Sequence, residues 1–220
     1  MPKNATIREG VFGLEDGLVS TLGSITGIAL ATNNPFTTLL SGTIIVSVEC
    51  ISMAVGSYLS SQSERAIEER KISEEKQELQ NFPEQETKEL IEMYVADGWP
   101  QNLAEEMAHT AAKNPDLFFT EMAYRELRVF PHDLESPIRN AAVMGITYII
   151  GGLIPLWPYI FFSIKTSAII SLTSTGLSLF LVGAFTTKFS HRVWWKVGLE
   201  MLILGGTAAT IGFFVGQLII

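Results

Sequence analysis

The chain has 220 residues, is 47% hydrophobic and carries a formal net charge of -8, but the charge is segregated. Residues 62–136 hold 18 of the 23 acidic and 8 of the 15 basic side chains, and the remainder is strongly apolar. This excludes an ordinary single soluble domain, which mixes the two compositions; the acidic polar segment excludes nucleic acid as a partner; and the single cysteine, Cys50, excludes an internal disulfide.

The N-terminus shows no ordered sequence of basic region, short apolar region and small-residue cleavage pattern, so no cleavable signal peptide is expected. The first apolar run covers about Val11 to Leu30 and the second about Phe36 to Leu59. After the acidic segment come runs from about Asn140 to Phe162, Thr166 to Thr186 and Val197 to Ile220. A spanning helix needs roughly 20 mostly apolar residues. The sequence therefore predicts an all-α membrane protein with five transmembrane helices and a helical insertion between the second and third. The expected divisions are 1–61, 62–136 and 137–220. With the N-terminus in the cytoplasm and the helices alternating, the insertion and the loop 187–197 are both cytoplasmic. Lys188, Arg192 and Lys196 lie in that loop, while the outer connections carry only Lys165, in keeping with the positive-inside tendency. Trp194 and Trp195 read either as interface markers or as core aromatics.

Two carboxylates fall inside the apolar runs. Asp16 lies in "GLEDGLVSTLGS" and reads as an interfacial or capping residue or as part of a path. Glu49 sits mid-way through the second run, four residues before Met53. Ionisable groups at membrane depth are costly and usually line a path or find a partner. Lys165, Glu200 or a group on a second subunit are the partners the sequence offers Glu49. A carboxylate and a thioether on one helix face suit transient cation binding, so Asp16, Glu49 and Met53 are the expected path residues. Small-residue stretches, "GLVSTLGSITG" and "GGTAATIGFFVG", permit close helix contact and a homodimer. Prolines 155 and 158 should kink or end the third run.

The insertion divides at Pro83, at Gly98-Trp99-Pro100 and at "NPD" (114–116). Helices are expected over about Glu64 to Gln80, Glu84 to Asp97, Gln101 to Lys113 and Asp116 to Leu127. Residues three or four apart share a helix face. Glu75 and Glu78 thus project together, as do Glu86 and Glu89 on the next helix. Met122 and Glu126 could close the site from the fourth. Clustered carboxylates repel one another, and a divalent cation relieves that. Carboxylates suit Mg, Ca, Mn or Fe(II), and a thioether tilts the set towards a transition ion. The plainer alternative is a set of solvated acidic faces paired with Lys71, Lys76 and Lys88.

Two stretches, "REGVFGLEDGLVSTLGSITG" (8–27) and "SMAVGSYLSSQSE" (52–64), together with the order of the elements, closely resemble the vacuolar iron transporter family. The likeness covers nearly the whole chain. The resemblance implies a dimeric transporter of five spans per subunit that exchanges cytosolic Fe(II), and often Mn(II), for protons; Zn(II) is a further ion such a site could bind. It implies path roles for Asp16 and Met53, and metal-binding roles for Glu75, Glu78, Glu86, Glu89, Glu126 and Met122. Three positions depart from the family pattern: Glu15 stands where asparagine is usual, Ser57 where glutamate is usual, and Glu49 where a small residue is usual. The implied membrane is the inner or plasma membrane of a prokaryote or the vacuolar membrane of a eukaryote. The competing reading is a membrane-anchored di-metal carboxylate oxidase or iron-storage module. Such proteins usually use Glu-x-x-His motifs, and His109 and His132 are not so spaced. A secondary transporter, not an enzyme, is expected.

Overall fold

The computed structural model describes residues 2–129, 134–190 and 192–218, and the regular elements among them are all helices. They are α1 (Pro2–Thr32), α2 (Pro35–Asn81), α3 (Pro83–Ala96), α4 (Gln101–Ala112), α5 (Pro115–Arg125), α6 (Pro137–Leu156), α7 (Pro158–Phe161), α8 (Ile164–Ser190) and α9 (Trp194–Leu218). Proline opens α2, α3, α5, α6 and α7. Its fixed φ suits the first helical turn, and its missing N–H costs nothing there. The chain forms two compact units: Ser60–Ser136 with Met1–Pro2, and Lys3–Leu59 with Pro137–Ile220.

The expectation of five spans is corrected. Among the described residues, three helices are long and apolar enough to cross a membrane: α2, α6, and α8 as far as Lys188. Among the described residues, the protein is an all-helical membrane protein with three such helices, not five. The physical reason lies in composition. α1 is 31 residues long, but Arg8, Glu9, Glu15 and Asp16 occupy its first half, and Gly, Ser and Thr dilute the rest. An acidic or basic residue at mid-bilayer costs about 2.5–3.5 kcal/mol on insertion scales. In α9, Lys196 and Glu200 lie within the first two turns, and the expected fifth span ends at 219 and 220, outside the described residues.

α2 has 47 residues. At 1.5 Å per residue it is roughly 70 Å long, more than twice the roughly 30 Å hydrocarbon core. Only its apolar half can lie in lipid. That half exposes Phe36, Leu40, Ile44, Val48, Ile51, Val55 and Leu59, spaced four or three apart, a stripe that lipid rather than water solvates. Beyond Ser60 the helix turns polar, with Arg65–Glu69 and Arg70–Glu74 pairs one turn apart.

In the membrane unit, α1 and α6 come into backbone contact. A Cβ on Gly17 would sit 2.3 Å from the Tyr148 carbonyl oxygen, and one on Gly151 would sit 2.3 Å from that of Leu14. Only glycine fits at either place. Ile25, Ala29, Val46, Leu156 and Tyr159 form the adjoining core. As expected, the prolines end the third apolar run early: α6 stops at Leu156, and Ser171 and Ser167 donate to the carbonyls of Pro155 and Pro158 at 2.8 and 3.0 Å.

In the other unit, Leu90, Tyr94, Ala104, Ala108, Ala111, Phe118 and Met122 form the core. The expected helix ends are set by local chemistry. Gly98, at φ +99, closes α3: its N–H bonds the Val95 carbonyl and the Trp99 N–H bonds that of Tyr94. This pair of bonds marks a left-handed C-terminal cap. Asn114 caps α5, accepting from the Asp116 and Leu117 N–H groups at 3.2 and 3.3 Å.

Candidate metal centre and membrane path

Glu75, Glu86 and Glu126 each present a carboxylate oxygen, and these three oxygens lie within 4.8 Å of one another. Glu75 comes from the polar half of α2, one turn before Leu79, which packs on the core; the shared face buries it to 1% exposure. Glu86, 4% exposed, lies in the first turn of α3, where the helix dipole favours negative charge. Glu126 is the residue that ends α5, where the dipole favours positive charge. Two carboxylates are therefore held in a dry place, and a third stands at a helix end that attracts a cation.

The electrostatics follow. Burial, then the charge of Glu126 and the hydrogen bond that protonated Glu75 donates to it, then the charges of Glu86 and Glu78 push the Glu75 carboxyl up to about 8. Glu86 is raised by burial and by Glu89, Glu126 and Glu78. Glu89 is raised by burial and by Glu126, Glu78 and Glu92. The buried Oε1 of Glu75 has no hydrogen-bond partner. A buried carboxylate without a partner is expensive. Such a cluster must either hold protons or hold a cation, and three carboxylates form a hard to borderline donor set.

Of the six residues expected at this site, the structure brings Glu75, Glu86 and Glu126 into one cluster. Glu78 and Glu89 flank it and act through their charge. Met122 is fully buried among Leu90, Tyr94 and Phe118, so its side chain is part of the apolar core. The solvated-face alternative fails for Glu75 and Glu86, which are buried. Lys76 lies over the Phe119 ring, 4.7 Å from its centroid. His109 is exposed on α4, and His132 lies outside the described residues. Beside the cluster, Arg125 ties α5 to α3: it bonds Asp97 and Glu121 and stacks on Tyr94.

In the membrane unit, Glu49 finds a partner the sequence did not suggest. Tyr148 of α6 donates its hydroxyl to Glu49 Oε2. The same hydroxyl lies 2.6 Å from Ser20 Oγ, which bonds the Asp16 carbonyl at 2.7 Å. Asp16 lies close enough to Glu49 for their charges to interact. Glu200 is instead engaged by Arg192 at 2.8 Å. Met53 is half-buried one turn along α2 from Glu49. Ser57 donates to Glu9 at 2.7 Å. A tyrosine in the middle of an apolar run and a serine in a small-residue stretch were the available signals, but nothing in their spacing pointed to a carboxylate on another helix. Trp194 and Trp195 are exposed, and Lys196 lies over the Trp195 ring, as at a membrane interface.

Comparison with known proteins finds relatives over nearly the whole length. The chain is 26% identical to a vacuolar iron transporter 1 of Eucalyptus grandis, over 94% of this chain and 84% of the relative. It is 26% identical to one of Arabidopsis thaliana, covering 97% and 86%, and 27% identical to a vacuolar iron transporter of Toxoplasma gondii, covering 97% and 74%. The VIT family model matches residues 7–217, a span that contains both the carboxylate cluster and the Glu49–Tyr148 bond, and the chain therefore belongs to the VIT family of membrane metal transporters, which are not enzymes.

Proposed function

We propose that this protein exports Fe(II), Mn(II) or both from the cytoplasm in exchange for protons, working as a homodimer. The polar unit would capture the ion, and Asp16, Glu49 and Met53 would carry it within the membrane. The observation that carries the reading is the Glu75–Glu86–Glu126 cluster, with its buried and unpartnered Glu75 oxygen. Glu78 and Glu89 add negative charge around it, and Zn(II) would compete for the same oxygens. Relatives named as iron transporters support iron as the cargo. Proton exchange is supported by the chemistry of the cluster, since the Glu75 carboxyl, pushed up to about 8, must release its proton when a cation arrives.

Sidedness is supported by counting crossings. Between the segment after α2 and the connection from α8 to α9 the chain crosses twice, through α6 and α8. The two lie on one side, and that connection carries Lys188, Arg192 and Lys196. Positive charge in short loops marks the cytoplasm. The membrane itself would be the inner or plasma membrane of a prokaryotic host or the vacuolar membrane of a eukaryotic one.

The test is metal uptake into sealed proteoliposomes under a pH gradient, following Fe(II), Mn(II) and lumenal pH together. Metal entry matched by proton exit is expected for the wild type. Replacing both Glu75 and Glu86 with alanine should cut uptake at low metal concentration by roughly tenfold or more, as expected when two charged ligands are lost. Absence of metal flux under either gradient would overturn the export reading. Metal flux without proton movement would overturn the exchange.

A further inference from the structure

We propose that Tyr148 is a positioning residue for ion passage: its hydroxyl, backed by Ser20, holds the Glu49 carboxylate so that one oxygen meets the passing cation. This inference rests on the export reading above and deepens it.

The geometry joins three helices at one point. Tyr148 is fully buried on α6, and its hydroxyl reaches Glu49 on α2 and Ser20 on α1. A phenol has one hydrogen to give and an oxygen that can accept. The hydrogen goes to Glu49 Oε2, so in the 2.6 Å contact with Ser20 the phenol oxygen can only accept. Ser20 has one hydrogen, which it gives either to Tyr148 or to the Asp16 carbonyl 2.7 Å from its Oγ, and this places Ser20 between Tyr148 and the helix turn that carries Asp16. The Tyr148 backbone is fixed as well, since its carbonyl lies where a Cβ on Gly17 would stand.

The consequence concerns the carboxylate. Glutamate has several rotatable bonds, and ordering them costs free energy each time an ion binds. A hydrogen bond to a charged group from a rigid, buried donor removes that cost in advance. Tyr148 engages Oε2, which directs Oε1 to a cation. Asp16 on the adjoining helix and Met53 one turn along α2 are the groups that would share it. Tyr148 is what gives Glu49 a fixed geometry.

The experiment is initial uptake of Fe(II) and Mn(II) into proteoliposomes across a range of metal concentrations. The variants are Tyr148→Phe, Ser20→Ala, Glu49→Ala and Glu49→Ala with Tyr148→Phe. Tyr148→Phe keeps the ring and removes only the hydroxyl. It should raise the half-saturating metal concentration roughly tenfold, the effect of losing a charge-assisted hydrogen bond, with the maximal rate nearly unchanged. Ser20→Ala should shift it in the same direction by less. In the Glu49→Ala background, Tyr148→Phe should add nothing. An unshifted half-saturation in Tyr148→Phe and Ser20→Ala overturns the inference and leaves the export reading standing. So does an equal penalty for Tyr148→Phe with and without Glu49, which would mark a purely structural role. A wild type without flux overturns both readings. Should Tyr148→Phe fail to reconstitute, Ser20→Ala alone decides by the presence or absence of its shift.

Discussion

At the residue scale the protein turns on carboxylates placed where water cannot reach them. Glu75 is the extreme case, buried by the face it shares with Leu79 and crowded by Glu126, Glu86 and Glu78. Its folded carboxyl titrates near 8 against 4.5 for an unperturbed one. Stability from this group is therefore complete below about 4.5 and is lost as pH rises through about 8. Without metal, the protein should melt at progressively lower temperature over that range, and added Mn(II) should restore the loss most strongly at its upper end. Glu75→Gln should melt higher than the wild type at pH 8 in the absence of metal and bind metal more weakly. Melting followed by tryptophan fluorescence, with and without Mn(II), checks both signs. A variant less stable than the wild type at pH 8 would show that Glu75 is held for structure rather than for a cation. The sequence identified Glu75, Glu86 and Glu126 because helical spacing puts residues on faces. It also offered Met122, one turn before Glu126, and Met122 is fully buried in the cluster with Leu90, Tyr94 and Phe118.

Helices are positioned by small residues in the membrane unit and by turn chemistry in the polar one. The reciprocal contact of Gly17 and Gly151 brings α1 against α6, and this contact sets Tyr148 beside Ser20. Gly151→Ala would place a methyl group 2.3 Å from the Leu14 carbonyl oxygen, and the helices would have to part. A loss of roughly 1–3 kcal/mol is expected, as for other overpacked cores, along with loss of high-affinity uptake. Gly206→Ala, where an added Cβ meets nothing within 4 Å, should be neutral or slightly stabilising, since alanine is the better helix former. Thermal stability and uptake measured on the two variants separate tight packing from helix propensity. The sequence read the stretch from Gly17 to Gly27 as permitting close helix contact and a homodimer. Gly17 makes its close contact with α6 of the same chain; small residues report only that something comes close, not what.

At the scale of the molecule, three helices among the described residues meet the length and apolarity of a membrane crossing, and one of them, α2, is far longer than a bilayer is thick and runs on into the charged segment. This architecture makes the side on which the acidic unit lies a consequence of α2, α6 and α8. A cysteine introduced as Gln101→Cys, exposed at the start of α4, should react with a membrane-impermeant thiol reagent only from the cytoplasmic side of intact membranes. The native Cys50 is buried with its Sγ bonded to the Ser47 carbonyl and should stay silent. Labelling from the opposite side would reverse the direction of transport.

What the sequence determined by itself was local: the helix boundaries at Pro83, Gly98, Pro100 and Pro115, the separation of an acidic segment from apolar ones, the signatures that resemble a transporter family, and the glutamates on shared faces. These follow from backbone restrictions and from periodicity, which act over a few residues. The count of spans failed because an apolar run also contains charges, and a helix as mixed as α1 is placed by its neighbours rather than by its average hydropathy. Only the tertiary structure decided that Glu75, Glu86 and Glu126 form one cluster, that Met122 is core, and that Glu49 is held by Tyr148 from a helix about one hundred residues away. Contacts between distant helices depend on how side-chain volumes fit, and no spacing along the chain encodes that fit.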